Sequence, residues 1–471
     1  MHAALPPVEP EVSLQILRLN LTLVMVALYL LLDAPFMLVR IPPGGVASVP
    51  MGELLIVFFL LTVPADTKLA MPFLRTAPIV PLAIWWIVAI PQLVMGFTQY
   101  GFWALRDATS LIETLFLWIG FVVASAPGAP AQIIRWFNRT IFVGALIALS
   151  YPFRNFFVPY SPVVISAQGK PTPFFFTYIM TPMIGLTAAF SLYLSDGKYA
   201  GLRSSWIAAL LIVFVAAIFQ ARTIYMQIFF LFALLTLVQP ANLLRLGAPI
   251  VVAVALFVAL LAAGVPVPGR ISGNVSLQFY LEHFLAIGGS GSGEWGDDTL
   301  RGAAAGVEQR LFWWEKIWLN VTSSWTTTLF GLGYGVSLVG LSAVDPSIAA
   351  EVREPHNSLI SVFARTGVVG LIACVWMHIS LAIIIVRTYL AYRAKGSNTI
   401  AQWILTVGAL FGMFWVASIG EDAFEKPFLA IPYYFFYGVV LNLWYRDGID
   451  TVRQQVSPHV VSNDGALPRD S

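Results

Sequence analysis

The segment Glu354-Pro355-His356-Asn357-Ser358 places the best candidate for acid–base chemistry at the head of an apolar run. Proline suits the first turn of a helix, so His356 is expected at a helix N-terminus. The dipole there favours anions and a neutral imidazole, and a neutral imidazole is what a general base requires. A histidine at such a boundary also serves as a plain interfacial residue. Two arginines stand out beside it. Arg310 lies in Gln309-Arg310-Leu311-Phe312-Trp313-Trp314, where it could equally anchor an interfacial helix or pair with Glu308 or Glu315. Arg222 lies in Phe219-Gln220-Ala221-Arg222-Thr223, where snorkelling to the headgroups is the plainer use. Secondary candidates are Asn357, Arg365, Glu421 and Asp422. Arg365, one or two turns beyond His356, could contact lipid phosphate but reads better as the partner of a buried acid. Glu421, Asp422 and Glu425, with Lys426, could bond to sugars or form a solvated loop.

Other patterns carry less. Leu329-Phe330-Gly331-Leu332-Gly333-Tyr334-Gly335 has phosphate-loop glycines, but the spacing fits neither P-loop nor dinucleotide fingerprint, and a close-packed turn is the better reading. Asp297 and Asp298 follow a glycine-serine tract without fixed geometry, so no metal site is expected. His378 falls deep in an apolar run as a hydrogen-bonded packing residue. Asp33 and Glu113 fall in or near such runs and mark polar cavities. The lone cysteine, Cys374, excludes an intrachain disulfide framework or a Cys-based metal site.

The elements that must position these residues are membrane spans. Hydrophobic residues make up 58% of the chain and charged residues 11%, far below the quarter typical of soluble domains. The mean hydropathy is +0.81. Apolar runs long enough to cross a hydrocarbon core of about 30 Å recur throughout. Twelve spans are predicted near 19–39, 52–65, 79–97, 109–126, 139–152, 174–195, 204–220, 222–239, 247–264, 367–388, 400–419 and 428–445. Prolines such as Pro64, Pro91 and Pro182 predict kinks. The stretch 202–239 is read as two spans with a turn at Gln220–Thr223. The first run is too long for a cleavable leader and is expected to stay in place. The net charge of +2 shows no nucleic-acid footprint.

Basic residues bias the orientation. With both ends cytoplasmic, Lys68, Arg75, Arg135, Arg139, Lys198, Arg203, Arg245, Arg387, Arg393 and Lys395 fall inside. Arg40, Arg106, Arg154, Lys170, Arg222 and Lys426 fall outside. The chain then divides into spans 1–9 over 1–264, a large outer loop over 265–355, spans 10–12 over 356–446, and a polar tail over 447–471 expected to be disordered. Within the loop, 275–287 and 303–321 read as helices, the second with Trp313, Trp314 and Trp318 at headgroup level.

From Arg222 onward the sequence resembles the O-antigen ligase and O-antigen polymerase superfamily of bacterial envelope glycosyltransferases. The resemblance rests on an arginine just outside a span (Arg222), an arginine-bearing aromatic helix followed by a glycine turn (Arg310 to Gly335), and a Pro-His-Asn opening to a span, with Gly367 and Gly370 downstream. The family often has Ser-Arg-Gly at the first arginine, where this chain has Ala-Arg-Thr. The resemblance implies an inverting transfer, without metal or cofactor, at the periplasmic face of a bacterial inner membrane. The donor would be a glycan on a polyprenyl diphosphate and the acceptor a sugar hydroxyl on another glycan. His356 would be the general base, and Arg222 and Arg310 would bind the departing diphosphate, whose oxygens the guanidinium fork matches. Two rivals remain. Peptidoglycan-type polymerases lean on an acidic residue in their outer loop. A flippase or transporter of lipid-linked oligosaccharide would show repeats and midplane binding groups, and no repeat is visible.

Overall fold

Where water is excluded, a chain must satisfy its backbone hydrogen bonds internally, and these apolar runs do so as α-helices. The computed structural model describes residues 10–42, 48–62, 68, 71–149, 154–165, 171–175, 190, 202–218, 222–264, 298–342 and 352–456. In chain order its helices are α1 (Pro10–Met37), α2 (Met51–Thr62), α3 (Ile79–Tyr100), α4 (Phe102–Asp107), α5 (Thr109–Ile112), α6 (Leu115–Ala124), α7 (Ala129–Leu149), α8 (Arg154–Phe157), α9 (Leu202–Ile218), α10 (Arg222–Val238) and α11 (Asn242–Ala262). After these come α12 (Asp298–Val321), α13 (Trp325–Phe330), α14 (Ser358–Ala394), α15 (Asn398–Gly420) and α16 (Pro427–Val456). Two short antiparallel pairs interrupt them: β1 (Arg40–Ile41) with β2 (Val49–Pro50), and β3 (Val163–Ile165) with β4 (Pro171–Pro173).

Six described helices are long and apolar enough to cross a membrane: Ser13–Met37, Ile79–Tyr100, Asn242–Ala262, Ser358–Ala394, Asn398–Gly420 and Pro427–Asp447. Helix α14 shows what solvent they are built for. Ile372, Trp376, Ile379, Ile383, Val386 and Leu390 recur at helical spacing and are all exposed. Its other face buries Ala373, Cys374, Met377, Leu381, Ile384 and Ile385. An exposed apolar stripe opposite a buried one belongs in lipid, and the protein is a multi-pass, all-α membrane protein.

The core forms where α16 packs against α6 and α1, and where α14 packs against α3 and α15. Gly120 on α6 faces the Phe435 carbonyl, and Gly438 on α16 faces the Leu117 carbonyl. Any side chain there would hold the two backbones apart, so small residues set this approach.

Two helices break as they near the same end. In α1, Asp33 leaves helical geometry at φ 62° just before Pro35. In α14, Gly367 does so at φ 66°. The span predicted from 367 therefore begins earlier, at Ser358, and Gly367 marks its kink. The helix predicted at 303–321 likewise starts sooner, at Asp298. The span predicted at 174–195 falls largely outside the described residues, as do the helix at 275–287, Asp297 and the first half of the turn predicted at Gln220–Thr223, whose Arg222 and Thr223 instead open α10. Of the tail expected to be disordered over 447–471, residues 447–456 instead continue α16, and the rest lies outside the described residues.

Candidate functional site

Asn357 starts α14. Its side-chain oxygen accepts from the backbone N–H groups of Leu359 and Ile360 at 3.0 and 3.1 Å, the bonds expected of an N-cap. This corrects the expectation that Pro355 opens the first turn. Pro355 and His356 both precede the cap, and His356 adopts φ +55°. For a residue with a Cβ, that left-handed conformation costs about 1–3 kcal/mol and persists only where neighbours impose it. Trp314 Nε1 donates to the Pro355 carbonyl at 2.8 Å, and the Trp313 ring lies 6.4 Å from the imidazole. Helix α12 thus holds the loop that bears His356.

The C-terminus of α15 is the meeting point of the three motifs. Asn357 Nδ2 donates to the Ile419 carbonyl at 3.0 Å, and Arg310 Nη1 donates to the Gly420 carbonyl at 3.0 Å. A cation on the free carbonyls of a helix end is favoured by the dipole. Thr223, the residue after Arg222, packs its methyl against Gly420. Arg222 itself is the first residue of α10. Arg310 is therefore tied to this corner rather than to Glu308 or Glu315.

The chain then passes directly to Glu421 and Asp422. His356 Nδ1 lies 3.0 Å from Asp422 Oδ2 and 3.7 Å from Glu421 Oε2. Asp422 is 6% exposed, so it is not part of a solvated loop. Burial works against its ionisation, but His356 and Lys426 outweigh it and hold the carboxyl below its ordinary value. Lys426 is raised, against its burial, by Asp422 and by Glu421, its partner at 3.2 Å. Glu425 behaves oppositely: burial, then Asp422 and Glu354, push its pKa up to about 8. It accepts a 2.7 Å hydrogen bond from Ser358.

Below His356 lies a knot built around Asp107, which the sequence reading did not single out. Its Oδ2 is 2.9 Å from Arg365 Nη2, 3.0 Å from Arg353 Nη2 and 3.0 Å from the Gly335 amide. Arg365 also pairs with Glu354 at 2.8 Å and donates to the Val336 carbonyl at 2.7 Å. Its expected role as partner of a buried acid holds, with two acids. The glycine run is a turn whose Gly331, Gly333 and Gly335 all have positive φ. Gly331 lies against the Arg365–Thr366 backbone, and Leu332 N donates to the Ala364 carbonyl freed by the kink at Gly367, at 2.7 Å. The run is thus a packing device that seats α14, and the phosphate-loop resemblance is superficial. His378 is likewise structural, bonded to the Cys374 carbonyl at 2.9 Å and stacked on Phe424.

Beside His356 opens a cavity of about 520 Å³. His356, Asp422, Glu425 and Lys426 line one part of it, and Arg353, Glu354 and Asp107 another. Arg40 follows α1, Glu53 lies in α2 and Arg106 lies in α4, and these complete its polar wall. Asp422 Oδ1 and Glu425 Oε1 are buried without hydrogen-bond partners. The Asp422 carboxylate oxygen left open in this way is a position for a donor such as a sugar hydroxyl.

Of the residues singled out from sequence, His356, Asn357, Glu421, Asp422 and Arg310 gather at one helix end, with the start of α10 beside them. Arg365 lies below as support. Arg40, Glu53, Arg106, Asp107, Arg353 and Glu354 were missed. The outer placement of Arg40 and Arg106 by charge bias was the one signal that could have grouped two of them with His356.

Fold and site define a multi-pass α-helical membrane protein with a charged cavity where its helix ends converge. No family model matches the chain, and no curated protein matches it in sequence. The likeness to the O-antigen ligase and polymerase superfamily therefore rests on the motifs themselves.

Proposed function

We propose that the protein is an inverting glycosyltransferase that moves a glycan from a polyprenyl-diphosphate donor to a sugar hydroxyl during surface polysaccharide assembly. In this reading twelve spans place the cavity at the periplasmic face of a bacterial inner membrane, with 265–355 as the outer loop. One observation carries it: His356 stands 3.0 Å from buried Asp422 on the wall of a cavity that also presents arginines.

The step balances with these groups alone. The acceptor oxygen forms a bond to the anomeric carbon while the bond from that carbon to the diphosphate breaks. The hydroxyl proton passes to the imidazole of His356, and the electron pair leaves on the diphosphate. Asp422, facing Nδ1, stabilises the imidazolium as it forms and leaves Nε2 for the proton in flight. Cations lining the site stabilise the charge gathering on the leaving group. The resemblance assigns that role to Arg222 and Arg310. Activation resides in the polyprenyl diphosphate bond, so no further energy source is needed.

The test is complementation of a deletion strain by wild type or His356→Ala, at matched membrane levels, with lipid-linked glycans resolved by size. Loss of surface polysaccharide and accumulation of short lipid-linked units is the result expected of a polymerase; long lipid-linked chains would indicate a ligase. Full complementation by the alanine variant would remove the enzyme reading and favour a flippase.

A further inference from the structure

The side of the cavity formed by α1, α2 and α4 carries cations that the resemblance does not assign. Arg40, Arg106 and Arg353 all line it, but they are engaged to different degrees. Arg353 is held at 3.0 Å by Asp107, at 2.8 Å by the Gly335 carbonyl, and by the Trp103 ring. Arg106 stacks at 4.9 Å over the same ring, and its Nη1 is buried with no hydrogen-bond partner. Arg40 makes a long 3.4 Å bond from Nε to the Met37 carbonyl.

Buried charged donors are seldom left open, because the desolvation cost is not recovered. Burial, followed by the nearby Arg40, holds Arg106 below its ordinary range, with Asp107 opposing and Arg353 adding to the effect. Guanidinium groups gathered in one cavity repel one another until an anion sits among them. Glu53 and Glu354 on the same wall offset part of this charge, while Asp107 is occupied by Arg353, Arg365 and Gly335. Arg310, by contrast, is not on the cavity wall and already caps α15.

The same side of the cavity has an apolar lining. Val57, Phe102 and Leu105 line that side of the cavity and are 49%, 47% and 37% exposed. A ligand bound here would have a compact anionic head between arginines and an apolar tail continuing into lipid.

We propose that Arg40 and Arg106 form the diphosphate subsite for the lipid-linked donor, whose polyprenyl chain leaves past Val57, Phe102 and Leu105. This rests on the transferase reading above and moves the main grip on the leaving group to the first half of the chain. Two guanidinium forks suit paired phosphate oxygens better than two ammonium groups would.

The experiment measures binding, so it does not depend on turnover. Full-length protein in phosphatidylcholine nanodiscs is titrated with radiolabelled polyprenyl diphosphate bearing no glycan. Arg40→Gln and Arg106→Gln should each weaken binding about 10- to 100-fold, the loss typical of a charge-assisted hydrogen bond. Arg106→Lys should recover part of it. Monodisperse elution and an unchanged melting temperature establish that each variant is folded. Inorganic diphosphate should compete weakly, and phosphatidylglycerol should not compete. If folded Gln variants bind like wild type, the subsite is wrong while the His356 result stands independently. Equal binding of phosphatidylglycerol or inorganic diphosphate would overturn the lipid diphosphate as occupant. A wild-type protein that binds no polyprenyl diphosphate would overturn this subsite and the donor assignment together.

Discussion

Asp422→Asn preserves the shape of the side chain and removes one charge from beside His356. In the proposed step the imidazole gains a proton in the transition state, and the carboxylate facing Nδ1 stabilises it. At the observed 3.0 Å separation, two unit charges interact by about 5.5 kcal/mol with an effective dielectric constant of ~20. His356 is 28% exposed, so solvent screens part of this, and roughly half is a reasonable share to lose on mutation. The remaining ~2–3 kcal/mol corresponds to a rate about 30- to 150-fold lower. Glu421 is a poor substitute, being 3.7 Å from Nδ1 and already bonded to Lys426. The assay is transfer from a polyprenyl-diphosphate-linked donor by purified protein in nanodiscs, with kcat and KM determined separately. The fall should appear in kcat, because the charge it answers exists only in the transition state. A folded Asp422→Asn protein with kcat within about threefold of wild type would refute the pairing of Asp422 with a proton-accepting His356.

Two further predictions concern the scaffold. Glu425 has a folded-state pKa near 8, above its ordinary value, so the folded state holds this proton more tightly than the unfolded chain. Its contribution to stability is full at pH values below the ordinary carboxylate range and is lost as pH rises through about 8. Melting temperature in detergent should therefore fall between pH 5 and 9 (roughly the span of both pKa values), and Glu425→Gln should flatten that fall; an equally steep variant would disprove it. Gly367→Ala should destabilise the protein by about 1–3 kcal/mol from backbone strain alone, because φ 66°, ψ −166° is a region open essentially to glycine. The new methyl would also sit 2.5 Å from Phe330 N, so a thermal or denaturant melt matching wild type would contradict the close approach described.

Much of the fold was legible because a membrane span is a local property. Length and apolarity alone place α3, α11, α15 and α16, since the lipid demands both and nothing distant modifies the demand. Arg365 was legible for a related reason: an arginine within a span requires a buried acid, whichever acid that is. The start of α14 was set too early because Pro355 suits a first turn, whereas the helix begins at an Asn357 cap that only its hydrogen bonds reveal.

The site was half legible. The Pro-His-Asn segment announces His356, but nothing local says that Asp422, 66 positions later, will face its Nδ1. Asp107 is one acid in an unremarkable stretch, and its importance comes from Gly335 and Arg353, 228 and 246 residues away. Arg40 and Arg106 read as loop charges, and they become a shared cavity wall only when α1, α2 and α4 meet the loop before α14. Sequence by itself determined that this is a helical membrane protein with a histidine at a helix entrance. Tertiary structure decided which charges surround that histidine, because burial and charge pairing are properties of groups brought together from distant parts of the chain.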